Sequence, residues 1–227
     1  MTIFSAVGVA LGAVLFFFAP EGVNAMSVGS MVLLVASIGG FFLAQSQWNR
    51  EDLEPFAKDL GLDLREVVAM GDSMRAEFRG DFLGRPVMMR IQRLLPSSPF
   101  GYRTNDPSYL VSISVPCANA RGTHLRIVPV LPGIDRMLEI LPPKLDGDRP
   151  WAAGFEVRGE PAEDAVGLIA RVAPERWGVL ESRGRWGDFL KLLGNECSFE
   201  MTLPRSPSSA ETRSRLELCV CLAHAAE

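Results

Sequence analysis

The chain has few of the side chains that usually carry out catalysis. Only two of its 227 residues are histidine, His124 and His224, and neither has a partner at a recognisable spacing. A Ser–His–Asp or Cys–His arrangement therefore cannot be identified. A glycine-rich phosphate loop, a G-x-S-x-G motif and carboxylates paired in helical register are also missing. No catalytic residue can be assigned from the sequence.

Charge is almost absent from the first 49 residues, where Glu21 is the only ionised side chain. A single soluble globule is excluded by this contrast, because such domains are about a quarter charged throughout. After residue 49 no segment is apolar enough for lipid, which excludes a polytopic transporter. The net charge of −4 and a pI near 5.4 argue against a basic nucleic-acid binder, so no nucleic-acid partner is expected.

Residues 3–19 and 28–47 are two apolar stretches without charge. A helix of 17 residues spans ~26 Å, close to the ~30 Å hydrocarbon core of a bilayer. The pattern predicts a transmembrane helical hairpin over residues 1–49, followed by an α+β domain over residues 50–227. The alternative is a cleaved signal peptide over residues 1–25 and a single anchor.

The hairpin predicts a location at the bacterial inner (cytoplasmic) membrane, with the lipid bilayer as a partner. Its connection has no Lys or Arg, whereas Arg50 and Lys58 follow the second stretch, so the soluble domain is expected in the cytoplasm. Small residues four positions apart let membrane helices approach closely. Such pairs predict helix packing within the hairpin or self-association between copies: Gly8 with Gly12, and Ala36 with Gly40.

The remaining sequence alternates between strand and helix patterns without a regular βαβ order, which predicts an α+β domain. A short helix is predicted over 51–60, ending at Gly61, and a final helix from Ser208 to about Ala226. Predicted strands cover 74–79, 86–93, 109–115, 124–130, 154–158, 188–193 and 197–203. Short helices are predicted to begin at Pro161 and Pro174.

In its layout, the region 51–227 resembles a type of bacterial membrane-anchored protein of unknown function. The features that carry the resemblance are the hairpin ending in Gly84-Arg85-Pro86-Val87, the Gly147-Asp148 turn before the Gly154–Arg158 strand, and the closing helix. The usage of Ala, Arg and Gly also looks bacterial. The resemblance implies a membrane-anchored protein and no activity.

A metal site is not predicted, although Cys219, Cys221 and His224 form a C-x-C-x-x-H pattern. Residues two apart on a helix point about 200° apart, so both thiols cannot face one ion. Asp146-Gly147-Asp148 lacks the further ligands of a calcium loop and is interpreted as a turn. No cofactor is expected.

Arginines are concentrated before residue 127, whereas acids predominate between Asp135 and Asp164. Because arginine contacts phosphate and carboxylate with two hydrogen bonds, the pattern predicts an anion-binding surface. Its predicted members are Arg85, Arg90, Arg93, Arg121 and Arg126. The alternative is that these arginines pair with the acidic segment.

The function predicted from these features is a membrane-anchored, non-enzymatic binding or scaffold module. Its partner would be an acidic protein or an anionic ligand. Two alternatives remain open. One is a ligand-sensing membrane effector whose hairpins assemble when ligand binds, and the other is a membrane-proximal enzyme of unidentified class.

Overall fold

The structure, a computed structural model, describes residues 35–36, 40, 50–70, 73–94, 108–130, 142–145, 154–180 and 189–227. Eight strands are present in this part: β1 Asp63–Met70, β2 Ser73–Phe82, β3 Arg85–Leu94, β4 Ser108–Pro116, β5 His124–Pro129, β6 Phe155–Glu160, β7 Phe189–Leu193 and β8 Glu196–Leu203. The helices are α1 (50–60), α2 Ala162–Arg171 and α3 Ser209–Ala226, with a 3-10 helix at Pro174–Val179.

All eight strands belong to one antiparallel sheet in the order β1-β2-β3-β4-β8-β7-β5-β6. The first four strands follow chain order because short connections join antiparallel neighbours. The second half does not, since β8 and β7 lie between β4 and β5. Residues far apart in the sequence therefore become neighbours in this half of the sheet.

One face of the sheet, here called the helix face, holds the core. Strand registers align one side chain from each strand in a continuous row, and each of the eight is less than a tenth exposed. The row consists of Leu64, Phe78, Met89, Ile113, Phe199, Leu190, Ile127 and Val157. Burying each of these side chains stabilises the fold by about 1.5–3 kcal/mol.

The helices cover this row. α3 packs on β4, β8 and the 3-10 helix, with Leu216 and Cys219 fully buried, as the sequence pattern predicts. Its first turn is capped by Ser208, whose hydroxyl accepts a hydrogen bond from the Glu211 amide at 3.3 Å. At the other end of the face, Phe56 of α1 contacts Phe78 edge to face, with ring centres 5.7 Å apart.

α1 ends at Gly61, as predicted. Gly61 has a φ of +72°, which a glycine adopts without strain. The Gly61 amide donates to the carbonyl of Lys58 and the Leu62 amide donates to that of Ala57, both at 3.0 Å. These two bonds satisfy carbonyls at the end of the helix and turn the chain into β1.

Most of the predicted secondary structure is confirmed. Both predicted hairpins are present, with two-residue turns at Leu83-Gly84 and Gly194-Asn195, and the final helix ends at Ala226. The strand β1 was not predicted. Its sequence, DLREVVAM, has charged residues at Asp63, Arg65 and Glu66 and alternates poorly, as expected of a strand that lies at the edge of a sheet.

The predicted fold class, an α+β domain preceded by a two-helix transmembrane hairpin, is wrong. The described chain is one eight-stranded antiparallel sheet with a few helices, none of which is long and apolar enough to cross a membrane. The hairpin was inferred from an absence of charge, whereas a span also needs an unbroken apolar helix of about 20 residues. Residues 3–19 and 28–47 lie outside the described residues except for 35, 36 and 40.

Gly159 allows α2 to lie against the sheet. A Cβ at this position would be 2.6 Å from the Cβ of Ala165 and 3.0 Å from the His124 carbonyl oxygen. Side chains cannot approach this closely, so α2 or β6 would have to move. Gly167 lies on α2, and a Cβ added there would have no atom within 4 Å.

We expect these two glycines to respond in opposite directions to alanine. Gly159→Ala should lower the free energy of unfolding by about 1–3 kcal/mol through overpacking. Gly167→Ala should raise it by about 0.5–1 kcal/mol, because alanine reduces the entropy of the unfolded chain. Urea denaturation of both variants measures this; a Gly159→Ala protein as stable as the native chain would contradict the packing of α2 on β6.

Candidate anion-binding site

The opposite face of the sheet, here called the open face, has no described helix packed on it. Side chains alternate between the faces of a strand, so residues between the core positions lie here. In β5, for example, Leu125 and Ile127 are fully buried on the helix face while Arg126 between them is partly exposed. The open face consists mainly of polar and charged side chains.

Four cations stand side by side on the open face at its β6 end. Arg126 on β5 is directly opposite Arg158 on β6 and Lys191 on β7. Lys144, in a short extended segment, forms a bridge pair with Arg158. Neighbouring strands lie ~4.8 Å apart, so these side chains are close. We call Lys144, Arg158, Arg126 and Lys191 the cation row.

The outer members of the cation row are neutralised by glutamates. Glu156, which is nearly buried, accepts a hydrogen bond from Arg158 at 2.7 Å and lies 3.6 Å from the Lys144 ammonium. Lys191 contacts Glu200 at 3.1 Å. Arg126 forms no hydrogen bond or ion pair with the described residues, although a cation flanks it on each side.

Like charges directly opposite each other across two strands are destabilising by a few tenths to ~1 kcal/mol. Glu156 and Glu200 offset this repulsion for the outer members of the cation row, whereas no described residue does so for Arg126. An anion placed over Arg126 would reverse the sign of that interaction. At the centre of the cation row, Arg126 is therefore the member without an ion-pair partner among the described residues.

In the other half of the open face, two arginines share one glutamate. Glu77 on β2 accepts hydrogen bonds from Arg79 at 2.7 Å and from Arg90 at 3.0 Å. These two guanidinium groups, that of Arg90 foremost, hold the pKa of the Glu77 carboxyl below its usual value. No cation of this cluster is left without a carboxylate.

The structure does not bring the five predicted arginines together. Arg90 and Arg126 share the open face, but β3 and β5 are four strands apart, or about 19 Å. Arg93 has the register of the helix face, opposite Tyr109 at the end of its strand. Arg121 lies in the turn before β5 and binds Asp164 at 2.7 Å. That these residues bind an anion stays a prediction for each.

Arg85 has a structural partner. Its guanidinium forms two hydrogen bonds with the carboxylate of Glu227, one of them 2.9 Å long, and its side chain is 12% exposed. The pKa of Glu227 falls to about 2, because Arg85 donates to it and the Ala118 amide adds another hydrogen bond. The pKa of Arg85 rises for the same reason. The pair joins β3 to the end of α3.

The predicted helix-packing residues are mostly outside the described part: Gly8 and Gly12 are not covered, while Ala36 and Gly40 are helical and exposed. Asp146-Gly147-Asp148 is not covered either. Among the described residues, no group of three or more His, Cys, Asp and Glu side chains could hold a metal. All four cysteines are free thiols.

Sequence reasoning missed Lys144, Arg158 and Lys191. Lys144 and Arg158 occur in the acid-rich segment, where acidic residues outnumber basic ones. Lys191 is far from both along the chain. One signal was available: Arg126, Arg158 and Lys191 each interrupt the apolar or small residues of a strand. Their convergence depends on the order β7-β5-β6, which no local pattern specifies.

A groove of about 380 Å³ adjoins the cation row. Arg126, His124 and Leu193 line it from β5 and β7, and Glu160 lines it from β6. Pro142 and Pro143, which precede Lys144, form another wall. The groove thus joins the central cation to a partly apolar depression.

No protein family, curated protein or solved structure was found to match this chain. The site is therefore interpreted from its own chemistry. The resemblance, the partners and the bacterial localisation inferred from the sequence stay predictions.

The Arg85–Glu227 pair gives a pH-dependent prediction. Because the pKa of Glu227 is lowered to about 2 in the fold, the pair stabilises fully above the usual value of 4.5 and loses its contribution as the pH falls toward 2. Glu227→Gln should therefore be less stable than the native chain at pH 7, and the difference should shrink steadily between pH 4.5 and 3.

Urea denaturation across that pH range provides the measurement. Glu51→Gln is the control, since Glu51 is exposed and forms no ion pair with the described residues. If Glu227→Gln and Glu51→Gln behaved alike at every pH, the stabilising role of this pair would be disproved.

Proposed function

We propose that this protein is a non-enzymatic binding module that holds an oxyanion, with phosphate as the simplest case, over Arg126 on the open face. One observation carries the proposal: Arg126 lies between two cations and forms no ion pair with the described residues. All the other cations of the row have a glutamate partner.

The geometry favours an anion with several acceptor oxygens. Arginine offers donors in a rigid fork that matches phosphate and carboxylate. Arg158 and Lys191 stand one strand spacing on either side of Arg126, and each is already paired with a glutamate. A phosphoryl group carries three terminal oxygens and about −1.5 to −2 charge, and so offers more acceptors to these donors than a carboxylate does.

A binding role fits the position of the site. An eight-stranded sheet with its core on one face is a rigid support, and sites on strands are held more precisely than sites on loops. The fold retains an arginine without an ion-pair partner among the described residues between two other cations, although a neutral residue at position 126 would avoid this. Functional sites commonly retain such locally unfavourable residues.

The test is Arg126→Gln, measured by thermal denaturation with and without inorganic phosphate. Phosphate should raise the Tm of the native chain, because a ligand that binds only the folded state stabilises it. The rise should be largely lost in Arg126→Gln. Without phosphate the variant should be as stable as the native chain or up to ~1 kcal/mol more stable, because the repulsion between residue 126 and its like-charged neighbours is removed.

Arg79→Gln is the matched control. Arg79 is on the same face but is paired with Glu77, five strands from β5. It should keep the phosphate effect, and sodium chloride should weaken that effect in both proteins by screening. A phosphate response that is absent from the native chain, or equally reduced in both variants, would refute the proposal.

A further inference from the structure

The groove beside the cation row has the composition of a small-ligand site. Its volume of about 380 Å³ lies in the range of ligand pockets, ~300–1,000 Å³. Such pockets combine apolar walls with a few polar groups that orient the ligand. Here Leu193 and two prolines supply apolar surface, and Arg126 and His124 supply polar groups.

Among the apolar residues of the groove, Leu193 stands outside the core. It has the same strand parity as Lys191, so its side chain belongs to the open face, where it is 44% exposed. A leucine so placed gains nothing for the core, which lies on the other face of the sheet. It is available for contact with an apolar group held next to Arg126.

Glu160 limits which ligands fit. Its carboxylate lies 3.7 Å from the His124 ring, is 58% exposed, and lines the groove two positions along β6 from Arg158. A second negative charge on the ligand would be repelled there. The groove therefore has a cationic end for one anionic group, and an apolar part with a carboxylate that disfavours another.

We infer that the ligand of this groove is a small phosphate monoester with an uncharged, apolar body. The phosphate lies over Arg126 between Arg158 and Lys191, and the body lies against Leu193 and the Pro142–Pro143 wall. This inference rests on the proposed function, because it takes the phosphate position from it. It adds the chemical class of the ligand and the residues that select it.

Isothermal titration calorimetry with phenyl phosphate and inorganic phosphate tests the inference. Phenyl phosphate should bind the native chain about tenfold more tightly, because its ring is removed from water in the groove. Leu193→Ser should remove most of that preference and leave inorganic phosphate binding unchanged. The variant is suited to this test, since an exposed leucine contributes little to folding.

A second arm measures selectivity against charge with 4-carboxyphenyl phosphate. The native chain should bind it several-fold more weakly than phenyl phosphate, and Glu160→Gln should reduce that difference. An unchanged difference in Glu160→Gln would show that Glu160 does not select the ligand.

The outcomes separate the inference from the proposed function. Equal binding of phenyl phosphate and inorganic phosphate, or a preference that survives Leu193→Ser, would overturn the inference and leave phosphate binding at Arg126 intact. Binding of neither compound would overturn both. Short-chain phosphatidic acid is the lipid arm: binding of this lipid without binding of phenyl phosphate would overturn the assignment to a small soluble ester.

Discussion

Side chains in a β-strand alternate between two faces, and in this protein that constraint applies to eight strands at once. The continuous row from Leu64 to Val157 fixes the helix face. A shift of one residue in any strand would expose its apolar set, so the registers are strongly specified. Once the registers are set, the residues between core positions must lie on the open face. The cation row is therefore a direct consequence of the same registers that build the core.

Charged side chains are paired differently in the two halves of the open face. Around Glu77, two arginines share one nearly buried carboxylate, so each cation of that cluster has an ion-pair partner. At the β6 end, Glu156 and Glu200 neutralise the neighbours of Arg126 but not Arg126 itself. The first arrangement stabilises the fold. In the second, Arg126 has no ion-pair partner among the described residues, and we propose that a bound anion takes that place.

Local patterns predicted the local structure well. The Leu83-Gly84 hairpin, the glycine that ends α1 and the Ser208 cap all depend on residues within a few positions of one another. The strand β1 was not predicted because an edge strand does not have to alternate between apolar and polar residues. The cation row was not predicted for another reason: Arg126, Arg158 and Lys191 become neighbours only through the pairing of β5 with β6 and β7. Arginine counts along the chain instead grouped Arg85 with Arg126, although Arg85 is committed to Glu227.

The central claim is that the open face binds phosphate at the cation row and nowhere else along the sheet. Titration of the full chain with inorganic phosphate, followed by amide chemical shifts in ¹H–¹⁵N NMR spectra, tests it most directly. The account predicts saturable shifts concentrated at 124–126, 156–160 and 190–193, with β2 and β3 unaffected. Shifts of equal size around Arg79 and Arg90, or no saturable shifts at Arg126 and its neighbours, would contradict it.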